Sequence, residues 1–417
     1  MPYAAPRWHR PAAAWQGSGV RLALTHLRHA RTGGTERYLD GLAAFLAQRG
    51  HEVTIVCRSH ATPPQPAVHF VPLRGFALGG AWRTWNFARA VEKHVEAQRA
   101  ERPYELVVGL GRTWTQDVLR LGGGCQRTYL ERAHAATLTA RDRLLGGGAW
   151  KHALAVRIEE RALADERVHV IANSHMVRRD VEARYGLARE RVSVIENGVD
   201  LTRFHPRLRA DVGMAKRREL GLGAGDCVVL FLGTGYARKG LDLVLEAFPA
   251  LVRARPEARL VVAGFDSARA RYEARAKELG LGAVFVGGTL APEALYAAAD
   301  LYVLPTRYDP FANSTLEALA SGLPVVTSST NGGAELIDTG VHGAVLALEA
   351  GGAGEPGAAG LADALCTWSE PARLEAARPA ARARAEQHGD ESKFAAAEAL
   401  FARLAARRAR QGGVAPG

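Results

Sequence analysis

"RYDPFANSTLEALASGLPVVTSSTNGG", from Arg307 to Gly333, sets two acids eight positions apart, Asp309 and Glu317. An Asp-Pro turn opens the stretch. Apolar residues then recur at helical spacing from Asn313 or Ser314, Gly-Leu-Pro stops the helix, and Val-Val starts a strand. Ser314-Thr315-Leu316-Glu317 has the spacing of a capping box, and in that reading Glu317 serves the helix end alone. The same residues allow a second use. A helix start exposes N–H groups, here from Asn313 through Ser314 and Thr315 to Leu316, and these suit a phosphate. Glu317, one turn in, is placed to accept hydrogen bonds from vicinal hydroxyls. Asp309 stands before the helix, over the other end of such a ligand.

Outward from this stretch, strands and helices alternate. In the first half "VRLALTHLR" (Val20–Arg28), "HEVTIVC", "VHFVPL", "YELVVGL", "RVHVIANS" and "RVSVIENGVD" read as strands, and "ERYLDGLAAFLAQRG" (Glu36–Gly50) as an amphipathic helix. "IENGVDLTRFHP" (Ile195–Pro206) brings an Asn-Gly turn and a proline, a natural junction. The rhythm restarts with "CVVLFLG", "ARLVVAG", "AVFVGG", "LYVLP" and "PVVTSS". The expected fold is α/β, two tandem doubly wound Rossmann-like domains that face a cleft. The expected boundaries are a disordered basic arm over 1–19, a first domain over 20–200, a second over 201–390, and a C-terminal helix and tail over 391–417. "EAGGAGEPGAAG" (Glu349–Gly360) reads as a mobile loop.

Two further loops stand at strand ends. "HARTGGTERYLD" (His29–Asp40) carries Gly33 and Gly34 ahead of a helix start at Thr35 or Glu36, which allows close approach of a ligand or a plain turn capped by Thr35. It does not fit the dinucleotide fingerprint G-x-G-x-x-G. "GTGYARKGLD" (Gly233–Asp242) carries Gly235, Arg238 and Lys239, with both cations read at the start of the next helix. Cations there oppose the helix dipole and call for an anion, which makes a diphosphate clamp.

The 417 residues exceed one ordinary core, and 47% apolar with 23% charged residues is a globular composition. Cys57, Cys125, Cys227 and Cys366 are too far apart in sequence for a zinc or redox motif. No apolar run has signal-peptide or transmembrane length. The net charge of +11 is uneven: residues 1–200 hold 29 Lys+Arg against 19 Asp+Glu, and residues 201–417 hold 25 against 24. A basic half fits an acidic partner, and a solvated arginine-rich surface is the plain alternative. Nucleic acid is disfavoured, because no recognition motif is present and the aromatics do not interleave with the basic residues.

"DPFANSTLEALASGLPVVTSSTNGGAELI" resembles the signature of the family-4 retaining glycosyltransferases, which have the GT-B fold. "GTGYARKGLDLVLEAF" resembles that family's phosphate loop, "IENGVDLTRF" its interdomain linker and "GGTERYLDGLAAFLAQRGHEVTIV" its first βα unit. The resemblance spans roughly residues 20–400. Within the family, "RKG", "AAADLYVLPT" and "LGGGCQRTYLERAH" lean towards the lipopolysaccharide core glucosyltransferases. The resemblance implies that Glu317 binds the ribose hydroxyls of a nucleotide, that Arg238 and Lys239 neutralise its diphosphate, and that Asp309, where relatives carry glutamate, contacts the donor sugar. Gly33 and Gly34 would let the first loop approach diphosphate and acceptor. "GRTW" fills the region where relatives often hold a histidine, so no catalytic base is assigned.

No D-x-D triplet occurs, so no metal or other cofactor is expected, and the cations with the helix N-terminus would meet the leaving charge. UDP-glucose is the first expectation for the donor. A glycan or glycolipid is expected as acceptor, in lipopolysaccharide or other cell-envelope synthesis. The protein would be cytoplasmic, peripheral on the inner face of the cytoplasmic membrane. A nucleotide-sugar epimerase on the same fold and a non-catalytic sugar-binding module remain the alternatives.

Overall fold

The computed structural model describes every residue except 1–18, 30–32, 61–66, 74, 76–78, 135–147, 348–356 and 413–417. All but Gly19 of the arm expected over 1–19 and most of the loop expected over 349–360 therefore lie outside the described residues. The chain divides into two compact units, Met1–Arg127 with Ala140–Asn197 and Asp390–Gly417, and Thr128–Thr139 with Gly198–Gly389.

Among the described residues the first unit holds a seven-stranded sheet in the order β3-β2-β1-β4-β5-β6-β7. Its strands are β1 (Arg21–His29), β2 (Glu52–His60), β3 (Val68–Pro72), β4 (Leu106–Gly109), β5 (Val118–Leu121), β6 (His169–Ala172) and β7 (Val192–Val194). The second unit holds a six-stranded sheet, β10-β9-β8-β11-β12-β13. These are β8 (Cys227–Leu232), β9 (Ala258–Ala263), β10 (Ala283–Gly287), β11 (Leu301–Leu304), β12 (Val325–Ser328) and β13 (Gly343–Leu346). Every named pair is parallel. Strands buried on both faces read as continuous apolar runs, and "CVVLFL" and "ARLVVA" do. In each sheet the order reverses beside its first strand, between β1 and β4 and between β8 and β11.

Two strands escape the sequence reading, β5 and β13. Each has four residues, and β5 carries a charged Arg120 that is buried in the structure. The C-terminal helix Asp390–Gly412 is no separate piece; it belongs to the first unit. Phe394, Ala397, Leu400 and Phe401 form its apolar stripe at helical spacing and join the core around Leu39, Leu42 and Phe45. The Phe394 ring meets Tyr38 edge-on at 5.6 Å, and a Cβ on Gly41 would lie 2.8 Å from it. Buried Glu398 accepts from Arg49 Nε at 2.7 Å and from His51 Nε2 at 3.0 Å. His51 Nδ1 in turn accepts the Val20 amide at 3.1 Å, which fixes the tautomer.

Candidate functional site

The second unit gathers polar side chains where β8 and β11 end. These neighbours flank the switch point of the sheet, the place where open α/β sheets bind ligands. After β8 the backbone turns through Gly235 (φ 80°) into a single helical turn, Tyr236–Lys239. Gly240 (φ 79°) ends that turn and begins the helix Leu241–Ala254. A Cβ on Gly240 would lie 2.2 Å from the Pro305 carbonyl oxygen, so space and conformation both require glycine. The Tyr236 amide donates to Asp266 Oδ2 at 2.6 Å and its hydroxyl to the Gly264 carbonyl at 3.0 Å.

Arg238 and Lys239 are thus the last two residues of one turn, not the first of a helix. The dipole conflict expected from the sequence does not arise, because cations at a helix end complement the dipole. The anion they need is present within the unit. Lys239 Nζ donates to Asp309 Oδ2, and Arg238 Nη1 donates to the same oxygen at 3.0 Å. Asp309 and Lys239 are both buried. Burial pushes the Asp309 carboxyl up, but the Lys239 and Arg238 charges outweigh it and hold it below the usual carboxylate range. Burial draws the Lys239 ammonium below its ordinary value, with Asp309 as counterweight. Asp309, expected over a sugar, sits on the two cations expected for a diphosphate.

The carbonyl of Arg238 is clamped from the β11 side by the Arg307 amide at 2.9 Å and Thr306 Oγ1 at 3.0 Å. The Arg307 guanidinium grips Asp242 with both prongs, at 2.9 and 2.7 Å, and also donates to the Ala237 carbonyl. Arg307 opens the quoted stretch, yet its role was not read. An arginine two residues before Asp309 is the signal that was there.

The helix predicted after Asp309 runs Asn313–Ala320, but Ser314 is no cap. Ala312 holds the cap position without a side-chain bond. The chain enters the helix earlier because Asp309 Oδ1 accepts the Phe311 amide at 3.2 Å and Asn331 Oδ1 accepts the Ala312 amide at 3.1 Å. The capping-box use of Glu317 is thereby removed. The Thr315 amide, expected among the open N–H groups, donates to the Ala312 carbonyl at 3.0 Å. Glu317 is buried, and its Oε2 accepts the Tyr296 hydroxyl at 2.9 Å. The same hydroxyl lies 3.2 Å from the Ser314 carbonyl, so one tyrosine ties carboxylate and helix start together.

Asn331 organises the floor. It also accepts the Gly333 amide at 2.9 Å, and its Nδ2 donates to Thr315 Oγ1 at 2.9 Å and Thr327 Oγ1 at 3.0 Å. Thr330 Oγ1 donates to the Thr306 carbonyl at 2.6 Å. Tyr296 and Asn331 were missed in the sequence. "TSSTN", five polar residues closing an apolar strand, was the visible cue.

In the first unit the helix after β1 runs Gly34–Gln48, with Gly33 (φ 132°) at the cap. It starts one or two residues before the expected Thr35 or Glu36, and no side chain caps it. Gly33 and Gly34 are exposed. The Glu36 carboxylate folds back so far that a Cβ on Gly33 would lie 2.1 Å from it. Burial pushes the Glu36 carboxyl up, while hydrogen bonds from His26 and the backbone bring it net below its ordinary value. Among the described residues no three His, Cys, Asp or Glu side chains gather as metal ligands would.

Residues 32–203 match the family described as Glycosyltransferase Family 4, and residues 226–368 that described as Glycosyl transferases group 1. The D-inositol 3-phosphate glycosyltransferase of Nocardia farcinica is 30% identical over 340 residues, 75% of this chain and 73% of the relative. Among solved structures, WaaG, a glycosyltransferase involved in lipopolysaccharide biosynthesis, superposes with a TM-score of 0.74 at 24% identity over 91% of this chain and 99% of its own. Anabaena HepE in complex with UDP-glucose superposes at 0.64, with 19% identity, over 94% of this chain and 100% of its own.

Proposed function

The chain belongs to the family 4 glycosyltransferases, of GT-B type, and from that premise we propose that it moves a hexose from a UDP-linked donor, UDP-glucose first, to a saccharide or lipid-linked saccharide acceptor. The product would enter lipopolysaccharide or another cell-envelope glycan, with retained anomeric configuration and without a metal. One observation carries this reading: two cations converge on a single buried carboxylate oxygen at the β8/β11 switch point.

A diphosphate leaving group gathers negative charge as the glycosidic bond breaks. Fixed cations in a water-poor site stabilise that charge without reorganising, and one such donor is typically worth about 3–4 kcal/mol of barrier. Arg238 and Lys239 are in place before any ligand arrives. Donor binding would exchange the Asp309 carboxylate for phosphate oxygens, and the released Asp309 would then be near the sugar, the role the family resemblance implies. Gly235 and the amides of Asn313 and Ser314 would approach the phosphates. Glu317, oriented by Tyr296, would read the ribose hydroxyls. Gly33 and Gly34 would admit the acceptor. The UDP-glucose complex of HepE supports the donor, and the relative named for a phosphorylated inositol supports an anionic acceptor for a basic first half.

A thermal-shift panel of UDP, GDP, ADP and their sugars tests the reading. UDP at about 100 times its dissociation constant should add about 2.7 kcal/mol of stability. Transfer should continue in excess EDTA. Stabilisation by GDP or ADP alone, or a rate that collapses with chelator and returns with magnesium, would overturn donor or metal independence respectively.

A further inference from the structure

Arg120 is the charged residue of β5, a strand whose other residues are apolar. It is buried, at 5% exposure, and among the described residues it makes no ion pair. A guanidinium cannot shed its proton to escape the cost of burial, so a buried one is ordinarily held by an acid. Arg120 has substitutes instead. Its Cζ lies 3.7 Å from the centre of the Tyr38 ring, a cation over an aromatic face. Its Nη2 donates to Asn197 Oδ1, a neutral amide oxygen. Its Nε is buried and has no partner among the described residues.

Two more polar atoms beside it are left in the same state. The Tyr38 hydroxyl and Asn173 Oδ1 are buried without a hydrogen bond among the described residues. Gly122 links the group. Asn173 Nδ2 donates to the Gly122 carbonyl at 3.2 Å, and a Cβ on Gly122 would collide with Arg120 Nη1. Gly122 directly follows β5 and Asn173 directly follows β6, and these strands are neighbours, so the group stands at the carboxyl edge of the first sheet. β5 lies beside β4, which flanks the switch point with β1. Tyr38 stands one turn inside the helix that follows Gly33. Gly122 and Asn197, both against the guanidinium, are half-buried, and Gly123 is exposed with open space at its Cβ position. The cover over Arg120 is therefore thin.

The unmet needs differ in kind. Arg120 lacks an anion, Asn173 Oδ1 lacks a donor, and the Tyr38 hydroxyl serves as either. Nε and Nη2 form one fork of the guanidinium, and a fork of this kind suits the paired oxygens of a carboxylate or phosphate. Asn197 fills one prong with a neutral oxygen and leaves the other empty. A sugar that carries an oxyanion meets every need: the anion replaces the Asn197 amide and takes both prongs, and a ring hydroxyl donates to Asn173. We propose that Arg120, with Tyr38 and Asn173, forms a subsite that selects an acceptor bearing a carboxylate or phosphate beside free hydroxyls. The proposal rests on the glycosyl-transfer reading and names the class of acceptor it takes.

Calorimetric titration of the UDP-loaded chain tests the subsite, because UDP keeps phosphate probes from Arg238 and Lys239. Glucose 6-phosphate and glucuronate distinguish the two anions, and at least one should bind at least about tenfold more tightly than glucose. R120Q should lose that preference. N197D offers Arg120 a carboxylate from within the chain. It should keep or raise the thermal midpoint and lose the anion preference, so the proposal stays testable if R120Q fails to fold. Glucose bound as tightly as both anions, no binding of either anion, or a wild-type preference kept in N197D would each overturn the proposal. Binding is read without transfer, so the two readings fail separately. A chain that takes UDP and no anionic sugar overturns the subsite alone, and one that never takes UDP overturns the donor reading before any anion is added.

Discussion

Each unit follows its first strand with a glycine turn and a helix, at the same place in the same topology. In the second unit the turn is closed from every side. Gly240 touches the Pro305 carbonyl, Arg238 and Lys239 share one buried carboxylate oxygen, and Arg307 and Thr306 hold the Arg238 carbonyl. In the first unit Gly33 and Gly34 lie exposed, and the nearest group to a Cβ on Gly33 among the described residues, the Glu36 carboxylate, is the far end of a side chain. The charges divide in the same way, a net +10 over residues 1–200 against +1 beyond. A preorganised cluster of opposite charges suits one invariant ligand, and a nucleotide diphosphate is such a ligand. An open, basic unit suits an acceptor that varies.

The largest effect expected from this contrast is at Asp309. In Asp309→Asn the buried Lys239 and its neighbour Arg238 lose their counter-ion, which should lower stability by about 3 kcal/mol. UDP should then recover more stability than it adds to the wild-type chain, because phosphate no longer displaces a carboxylate. The effect has a pH window. The Asp309 carboxyl is held below its ordinary value of about 3.9, so its contribution is present above that pH and is lost as pH falls through the lower folded value. The wild-type chain should therefore lose stability below about pH 4 by a step that the variant lacks. Thermal melts with and without UDP, from neutral pH to pH 3, check both. A variant as stable as wild type with the same UDP shift would show that the cations do not depend on Asp309.

The contrast also marks what a sequence discloses. The α/β rhythm was legible because strands buried on both faces leave runs such as "CVVLFL". β5 and β13 were not, since Arg120 interrupts the first and the second opens on a glycine and is buried over only half its length. The group of Arg238, Lys239, Asp309 and Glu317 was legible as a set of residue types, because those charges fall beside glycine and proline turns. Their partners were not. Whether Asp309 faces a sugar or Lys239 depends on the alignment of β8 with β11, set by contacts about 70 residues apart in the chain. Tyr296 and Asn331 act through the same long-range geometry. Helix Asp390–Gly412 reads as amphipathic, but nothing local says which unit it covers.

A smaller effect is expected at Glu317. Glu317→Gln still accepts from Tyr296, so the helix start should keep its place while the charge proposed to read the ribose is lost. The UDP dissociation constant should rise roughly tenfold, the cost of one charge-assisted hydrogen bond. Calorimetric titration checks it, with an unchanged melting point as the control. Wild-type affinity for UDP would move the ribose contact elsewhere and leave Glu317 as a support for residues 313–317.

The smallest effect is expected in the first unit, at Gly33→Ala. Its φ of 132° is strained for any residue with a Cβ, at a cost of about 1–2 kcal/mol. Unlike at Gly240, among the described residues the three atoms nearest that Cβ all belong to a side chain, that of Glu36, which can swing aside once it gives up its hydrogen bond from His26. The fold should survive with a midpoint lower by a few degrees, about 2–4 °C per kcal/mol for a domain of this size. UDP affinity should be untouched, since Arg238, Lys239 and Glu317 all lie in the other unit, while KM for the acceptor should rise. A UDP affinity that falls as far as in Glu317→Gln would break the division of labour and make the first loop part of the diphosphate site. An unchanged acceptor KM would leave Gly33 as a turn residue, needed for the entry into the helix Gly34–Gln48 and for nothing beyond it.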